Sequence, residues 1–279
     1  GHPLPWAFES PQLGIGPHAG EGVNAYYQRS YESLSFYYFD SKALGKTVQT
    51  AQSADIVSHE TGHAILDGLK PEFGRTFDLE TKAFHEAFGD CAAMLLTLSR
   101  PANRASILAE TGGDLAKDNC LCRVGEEFGK AVRRLNSDPS DDRDYLRNAR
   151  NDFKYCDPAT LPKDGPRETL SAEPHSFCEV WSGAFYRCIQ NVYQGLSASL
   201  PPDVALEQTG KTVGKLFLAG VQMTSPARAR YGDIALGMLR ADQQLNVGAN
   251  QAALAKAFGD TGLPAALPEV PDLTWGAEG

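Results

Sequence analysis

Residues 53–68 read SADIVSHETGHAILDG, and the rest of the chain is best interpreted outward from this stretch. Its apolar side chains recur at helical spacing, Ser53 is a residue type that caps helix starts, and Gly68 is one that follows helix ends. The pattern predicts a helix that ends at Gly68. His59 and His63 stand four residues apart, so both imidazoles lie on one helix face and can share a metal ion about 2 Å from each.

Glu60, beside the first histidine, gives this group a base. A carboxylate in this position can take the proton of a water molecule that attacks a carbonyl held at the metal. A chance match in a chain of this length has odds on the order of one in a hundred, so two histidines on an ordinary helix face are the alternative. The motif predicts zinc-dependent hydrolysis with Glu60 as the general base, and it requires a third ligand.

A second predicted helix, over residues 78–98, supplies that ligand. Residues 85–90 read HEAFGD and place Glu86 and Asp90 one turn apart among apolar side chains. Buried carboxylates need partners. Glu86 as third zinc ligand leaves the fourth position open, as in catalytic sites, and Asp90 can accept the ring N–H of a ligating histidine. The alternative is an exposed charged stripe, and His85, which points elsewhere, is predicted not to be a ligand.

Around these helices the chain separates into three parts. Residues 1–22 are rich in Gly, Pro and His and are predicted to form an extended arm. Residues 23–98 combine the two helices of the zinc motif with an aromatic-rich β-hairpin, whose strands are predicted at 24–27 and 34–39. Residues 99–279 are predicted to form a mainly helical lobe. The predicted fold class is therefore α+β.

The helical lobe is least regular in residues 99–174, where short helices are predicted around 126–135 and 141–148. Ser176-Phe177-Cys178-Glu179 has the form of a capping box and is predicted to open a helix that runs through residue 193. Further helices are predicted at 203–223, 227–245 and 250–258.

The composition is that of a globular protein with a substantial core, with 42% hydrophobic and 22% charged residues in 279. Lys and Arg number 26 against 35 Asp and Glu, and the resulting net charge of -9 argues against nucleic acid as a partner. No apolar run approaches the roughly 20 residues that a membrane-spanning helix needs. Six cysteines allow many pairings and leave the redox compartment open.

With these motifs in place, the chain resembles the thermolysin-like zinc metallopeptidases (gluzincins), which carry His-Glu-x-x-His on one helix and Glu-x-x-x-Asp on the next. The resemblance implies a zincin-like fold, a catalytic Zn²⁺, peptide or protein substrates and secretion from the cell. Pro174-His175-Ser176 is similar to the family segment whose histidine stabilises the tetrahedral intermediate, which implies that role for His175. A helix N-terminus disfavours an imidazolium, so a neutral N–H donor or a simple loop position are alternatives for His175.

The resemblance also implies a set of substrate-binding residues. Tyr145-Leu146-Arg147-Asn148 resembles the stretch whose arginine binds the substrate carbonyl after the scissile bond, and an ordinary surface arginine is the alternative for Arg147. Ile56 and Leu146 are expected to line the pocket after the scissile bond and to favour an apolar residue there. Asn24-Ala25-Tyr26-Tyr27 resembles the family's edge strand, where substrate adds as an extra strand and Asn24 holds its backbone.

The chain departs from the family at three places. The family's second oxyanion donor, a tyrosine between the zinc helices, has no counterpart in residues 64–85. Of the acidic set around the family's calcium pair, Asp55 matches but Thr97 stands where a glutamate would be, so Ca²⁺ is doubtful as a second cofactor. Little of the family's N-terminal lobe precedes Asn24, so the cleft is expected to be trimmed before the scissile bond.

Three functions remain open from the sequence. An endopeptidase follows most directly from the motifs and the resemblance. An aminopeptidase or narrow processing peptidase is the second hypothesis, because shortening one side of a cleft restricts which chain end fits. A catalytically inactive zinc-containing binding module is the third, and the missing tyrosine and lobe would suit it.

Overall fold

The computed structural model describes residues 5–132 and 144–268. Within these residues three small sheets accompany eight α-helices, so the chain is mixed α and β with helices in the majority. None of the helices in the described ranges is both long and apolar enough to cross a lipid bilayer. The six cysteines are free thiols.

The first sheet contains β1 (Gly14–Gly16), β2 (Ala25–Gln28) and β3 (Ser33–Phe36), in the order β1-β3-β2. β2 and β3 are antiparallel, which confirms the predicted hairpin. Leu34 and Phe36 of β3 are buried and alternate with serines, as a strand with one covered face requires. β1 and β2 form the two edges of this sheet.

β1 corrects the prediction of an extended arm over residues 1–22. Gly14–Gly16 pairs with β3 in parallel, so part of the arm belongs to the sheet. Two of its three residues are glycines, and the pairing depends on backbone hydrogen bonds that leave no side-chain pattern in the sequence. Residues 1–4 lie outside the described ranges.

The second predicted strand, 34–39, is in fact two strands. β4 (Tyr38–Ser41) leaves the first sheet and pairs in antiparallel fashion with β5 (Lys46–Gln49). The division falls at Tyr37, whose N–H donates to Thr50 Oγ1 at 2.9 Å and whose carbonyl accepts from the Thr50 N–H at 2.9 Å. These bonds turn the chain from one sheet to the other.

The two helices that carry His59, His63, Glu86 and Asp90 form as predicted, although the first ends later than Gly68. α1 (Ala54–Leu69) begins after Ser53, whose hydroxyl accepts the N–H of Ile56 at 3.5 Å. α2 (Leu79–Ser99) follows a capping aspartate. Gly68 lies inside the last turn of α1 rather than beyond it. A Cβ there would lie 2.3 Å from the carbonyl oxygen of Pro5, so this glycine makes room for the N-terminal segment.

α1 and α2 pack closely through two glycines. A Cβ on Gly62 would lie 2.9 Å from the Cα of Gly89, and a Cβ on Gly89 would lie 2.6 Å from Nδ1 of His59. Larger side chains would therefore separate the helices. The contact places the imidazole of His59 directly against the backbone of α2.

The segment after α2 differs most from the prediction. α3 (Pro101–Thr111) was not predicted, whereas α4 (Glu126–Val132) confirms a helix in the described part of 126–135. The helix predicted over 141–148 is wrong for the described residues 144–148. They contain β7 (Arg147–Asn148), which pairs with β6 (Arg123–Val124) and so takes an extended conformation. Residues 133–143 lie outside the described ranges.

The last four helices are α5 (Pro174–Ser197), α6 (Pro202–Gln222), α7 (Tyr231–Asn246) and α8 (Gln251–Asp260). Their number and order agree with the prediction, but α7 begins later than residue 227. The predicted cap at Ser176 is also wrong, because Glu173 caps α5 by accepting the N–H of Ser176 at 3.0 Å. His175 therefore lies inside the first turn of α5 instead of before it.

An aromatic cluster fixes α2 against the C-terminal helices. Phe84 of α2 meets Trp181 of α5 edge-on, with ring centroids 5.7 Å apart. Trp181 also stacks on Phe217 of α6 at 6.1 Å and contacts Tyr231 of α7 at 5.6 Å. All four rings are fully buried, and edge-on and offset contacts of this kind stabilise a core beyond the area they bury. The packing sets α5, and with it His175, beside the zinc motif.

Candidate metal centre

The two histidines of α1 meet at one point, as their spacing predicts. The rings of His59 and His63 are edge to face, with centroids 4.8 Å apart. Potential ligand atoms of His59, Glu60 and His63 all lie within 4.8 Å of one another. The group therefore offers two imidazole nitrogens and a carboxylate to one cation.

Glu86 on α2 faces the same point from the opposite side. Its Oε2 lies 3.3 Å from Nε2 of His59, and its Oε1 lies 3.7 Å from Nε2 of His63. Each oxygen of Glu86 thus faces one imidazole nitrogen, so Glu86 as well as Glu60 presents a carboxylate to the two histidines. Burial opposes its ionisation, but the surrounding histidines, His63, His175 and His59, hold its pKa well below the usual value. Two imidazoles and an ionised carboxylate form the donor set of catalytic zinc sites.

Asp90 orients the first histidine. Its Oδ1 lies 3.0 Å from Nδ1 of His59, so that with Nδ1 protonated the ring donates to Asp90 and leaves Nε2 for a metal. Burial lowers the pKa of His59, but the carboxylates of Asp90 and Glu86 outweigh it and raise the pKa to about 10. The structure thus brings Asp90 to the position that the sequence assigns to it.

Asp90 is also the partner of Arg147. The guanidinium donates from Nε to Oδ2 at 2.9 Å and from Nη2 to Oδ1 at 2.6 Å. Ser182 adds a bond to Oδ2 at 3.0 Å, and Asp90 is 0% exposed. The surface-arginine alternative for Arg147 is therefore wrong, because this guanidinium lies inside the protein. Because two of its nitrogens donate to Asp90, only the remaining N–H groups of Arg147 can bind a substrate carbonyl.

Glu60 is held by the edge strand. The backbone N–H of Tyr27 in β2 donates to its Oε2 at 3.0 Å. Burial raises the pKa of Glu60 to about 7, and the nearby charge of Glu86 acts in the same direction. A carboxyl group with a pKa near neutrality can both take and return a proton, as general acid–base catalysis requires.

His175 reaches the group from α5. Its Nε2 lies 3.2 Å from Oε2 of Glu86, and its Nδ1 lies 2.6 Å from Oε1 of Glu173. The bond to Glu86 raises the pKa of His175 to about 9 although partial burial lowers it. His175 lies in the first turn of α5 and not in a loop, and contact with two carboxylates raises its pKa against the effect of the helix N-terminus.

A cavity of 850 Å³ follows α1 across this centre. On α1, Ile56 lies one turn before Glu60, and Asp67 lies two turns after Glu60. Ile56 and Asp67 are therefore about 16 Å apart along the helix axis. We call the end lined by Ile56, Phe128 and Leu146 the Leu146 end, and the end lined by Asp67 and Lys82 the Lys82 end. Arg147, His175 and the edge strand β2 also line the cavity.

Asn24 lies at the cavity wall, as the sequence predicts, but its side chain is already engaged. Its Oδ1 accepts the N–H of Ala25 at 2.9 Å. That N–H belongs to the strand with which an extended substrate would pair. A substrate backbone that pairs at Ala25 must therefore compete with the side-chain oxygen of Asn24.

A second ion-pair cluster beside the centre was missed in the sequence. Tyr27 donates its hydroxyl to Oδ2 of Asp67 at 2.7 Å, and Arg29 donates Nε to the same oxygen at 2.7 Å. Asp67 is one turn past His63 on α1, so the i, i+4 spacing was an available signal. The cluster joins the end of β2 to α1 at the Lys82 end of the cavity.

Near Asp55, the residue that matches the family's calcium set, three carboxylates surround a guanidinium. Arg123 lies 2.7 Å from Glu110, 2.6 Å from Asp118 and 3.3 Å from Glu126. Asp55 accepts backbone N–H groups of residues 125 and 126. A cation supplied by the chain thus occupies the centre of these carboxylates, and the donor set does not fit a calcium ion.

Replacing Arg123 with methionine is expected to lower the free energy of unfolding by about 2 kcal/mol, because three carboxylates then lose their common cation. Chemical denaturation measures this loss, and Arg187→Met is the matched control because Arg187 pairs with one exposed aspartate. We also expect calcium and a calcium chelator to leave the thermal midpoint of the wild type unchanged. A clear rise of that midpoint with calcium would contradict the assignment.

No protein-family model matches this chain, and no curated protein matches it closely enough to count.

Proposed function

We propose that this chain is a zinc-dependent peptidase with a zincin-like fold, in which His59, His63 and Glu86 hold the metal. The observation that carries the proposal is the convergence of both histidine Nε2 atoms on the carboxylate of Glu86, at 3.3 and 3.7 Å. Nitrogen and carboxylate donors suit Zn²⁺, and three protein ligands leave a coordination position for reactants. Asp90 adds the orienting partner that ligating histidines require.

Zinc bound in this position supplies Lewis acidity, which polarises a carbonyl oxygen and makes water more acidic. Glu60 moves the protons. Its carboxylate takes a proton from the attacking water and returns it to the nitrogen of the leaving amine. The bond from the Tyr27 N–H keeps Glu60 in one orientation during both transfers.

His175 stabilises the oxyanion that forms when the scissile carbonyl carbon becomes tetrahedral. It faces the centre from α5, contacts with Glu86 and Glu173 raise its pKa to about 9, and 58% of its side chain is exposed to the cavity and solvent. A charged or strongly polarised N–H donor lowers the energy of such an anion. Residues 64–85 contain no tyrosine that could act as a second oxyanion donor. His175 therefore supplies more of this stabilisation than it would if it shared the oxyanion with such a tyrosine.

The walls of the cavity suit an extended peptide. The free edge of β2 lines it, and an added strand can pair with such an edge through backbone hydrogen bonds. At the Leu146 end, Ile56, Phe128 and Leu146 present apolar side chains. The proposed substrate is therefore a peptide or protein with an apolar residue after the scissile bond.

Internal cleavage fits the Lys82 end better than removal of single N-terminal residues. An aminopeptidase needs a carboxylate that is free to bind the substrate's α-amino group. Asp67 is the carboxylate at this end, but Tyr27 and Arg29 occupy its oxygens. The pairing supports an endopeptidase over the aminopeptidase alternative.

Peptides with free and blocked ends test this function. We expect the zinc-loaded protein to cleave an acetylated, amidated peptide at the same internal bond and at a similar rate as the unblocked peptide, as mass spectrometry of the products will show. A zinc chelator should stop both reactions. Cleavage of the unblocked peptide alone would indicate an aminopeptidase, and zinc binding without cleavage would indicate a catalytically inactive binding module.

A further inference from the structure

The positive charges that line the cavity differ in how they are paired. Arg29 is engaged by Asp67, Arg147 by Asp90, and Arg167 donates Nη2 to the carbonyl oxygen of Leu146 at 2.6 Å. Lys82 is the one lysine among the described residues that line the cavity. No carboxylate in the described ranges lies within ion-pair distance of its ammonium group, which is exposed on α2.

The position of Lys82 relates it to the centre. It stands one turn before Glu86 on α2, so the two side chains project from the same helix face. α1 and α2 run in opposite directions here, because Gly62 packs on Gly89 and the ring of His63 lies 5.7 Å from that of His85, so Lys82 lies beside the end of α1 that carries Asp67. A peptide whose apolar residue after the scissile bond occupies the Leu146 end therefore extends its preceding residues toward Lys82.

The ring of Phe77 contacts the ammonium group of Lys82 without neutralising its charge. The Nζ of Lys82 lies 5.0 Å from the centroid of the Phe77 ring, a cation–π distance. The ring is 91% exposed and stands next to Thr76, which lines the cavity. A carboxylate partner would cancel the charge of Lys82, whereas an aromatic face leaves it able to bind an anion.

We infer that Lys82, held over Phe77, forms a subsite that selects acidic residues before the scissile bond. The ligand is a glutamate or aspartate carboxylate of the substrate, and the inference rests on the proposed peptidase function. The net charge of -9 repels acidic peptides at long range. A preference for them must therefore come from a local cation such as this one.

Matched peptides test the subsite. Each set carries Glu, Gln or Lys at one of the three positions before the scissile bond, and kcat/KM is measured with zinc-loaded protein. At low salt we expect the wild type to prefer Glu over Lys by about threefold to tenfold at one of these positions. About 1 M salt should reduce the ratio, because it screens charges that are open to solvent.

Three variants decide the outcome. Lys82→Glu should reverse the order so that Lys exceeds Glu, and Lys82→Met should abolish the preference without reversing it. Lys215→Glu, an exposed lysine of α6 outside the cavity, changes the net charge equally and should keep the wild-type ratio. The Gln peptide reports any general loss of activity in each variant.

Different results would overturn the subsite and the peptidase function. An unchanged Glu-to-Lys ratio in Lys82→Glu, with normal cleavage of the Gln peptide, overturns the subsite alone. A shift of equal size in Lys215→Glu also overturns it, because the effect would then belong to the net charge. Absence of cleavage of every peptide by the zinc-loaded wild type overturns the proposed function, and the subsite with it.

Discussion

Replacing Glu60 with glutamine is expected to lower kcat/KM for peptide hydrolysis by about two to four orders of magnitude, the usual contribution of a general base. Glutamine has the same shape, and its side-chain oxygen can still accept the N–H of Tyr27 that now bonds to Oε2. It cannot take a proton from water. Zinc content should remain at the wild-type level, because Glu86 and not Glu60 is the proposed ligand. Steady-state kinetics and elemental analysis of the same preparation measure both quantities.

Two further variants show whether the loss of activity in Glu60→Gln reflects proton transfer or metal binding. Glu207→Gln is the matched control, because Glu207 lies on α6 outside the cavity and pairs with Lys211 and Arg104, and it should retain full activity. Glu86→Gln should lose activity together with zinc. Wild-type turnover by Glu60→Gln would remove Glu60 from proton transfer, and loss of zinc in that variant would make Glu60 a ligand.

Replacing Asp90 with asparagine is expected to affect stability and metal binding together. Asp90 is 0% exposed and accepts bonds from His59, Arg147 and Ser182. The substitution leaves the buried guanidinium of Arg147 without its counterion, which costs about 3 kcal/mol of unfolding free energy. It also removes the anion that orients His59, so zinc affinity should fall about tenfold to a hundredfold. Urea unfolding in excess chelator and a competitive zinc titration give the two values.

A double variant separates the two roles of Asp90. Asp90→Asn combined with Arg147→Met removes the unpaired guanidinium and should regain part of the lost stability. Zinc affinity should stay low, because His59 still lacks its carboxylate partner. Unchanged zinc affinity in the single variant would show that Asp90 does not orient His59, and unchanged stability would contradict the importance of the buried ion pair.

The part of the centre that could be predicted is the part encoded by spacing along helices. His59 and His63 share a face because they are four residues apart, and Glu86 and Asp90 share another for the same reason. The structure brings these two faces together. The sequence indicates this contact between the helix faces because apolar residues surround Glu86 and Asp90, and buried carboxylates require partners.

The parts that could not be predicted depend on contacts between distant segments. Arg147 and Asp90 are 57 residues apart, and their bond forms because β7 pairs with β6. No local pattern around Arg147 distinguishes that strand from the helix that was predicted there. The Tyr27 N–H that orients Glu60 is a backbone group, and backbone groups leave no mark in a sequence.

The charge state of His175 shows a similar limit. Its place at a helix N-terminus was nearly correct, and the effect of the dipole on an imidazolium is real. Its pKa is raised because Glu86, 89 residues earlier in the chain, and Glu173 both contact the ring. Contacts between distant segments thus outweigh the local effect of the helix dipole on the pKa of His175.

The most direct test of a zinc peptidase centre at His59, His63 and Glu86 is a titration of metal-free protein with zinc, followed by the rate of peptide hydrolysis. We predict no hydrolysis without metal, a linear rise as zinc is added, and a plateau at about one equivalent per chain, since the three ligands form one site. Hydrolysis that persists in the metal-free protein, or none at any zinc ratio, would contradict the account.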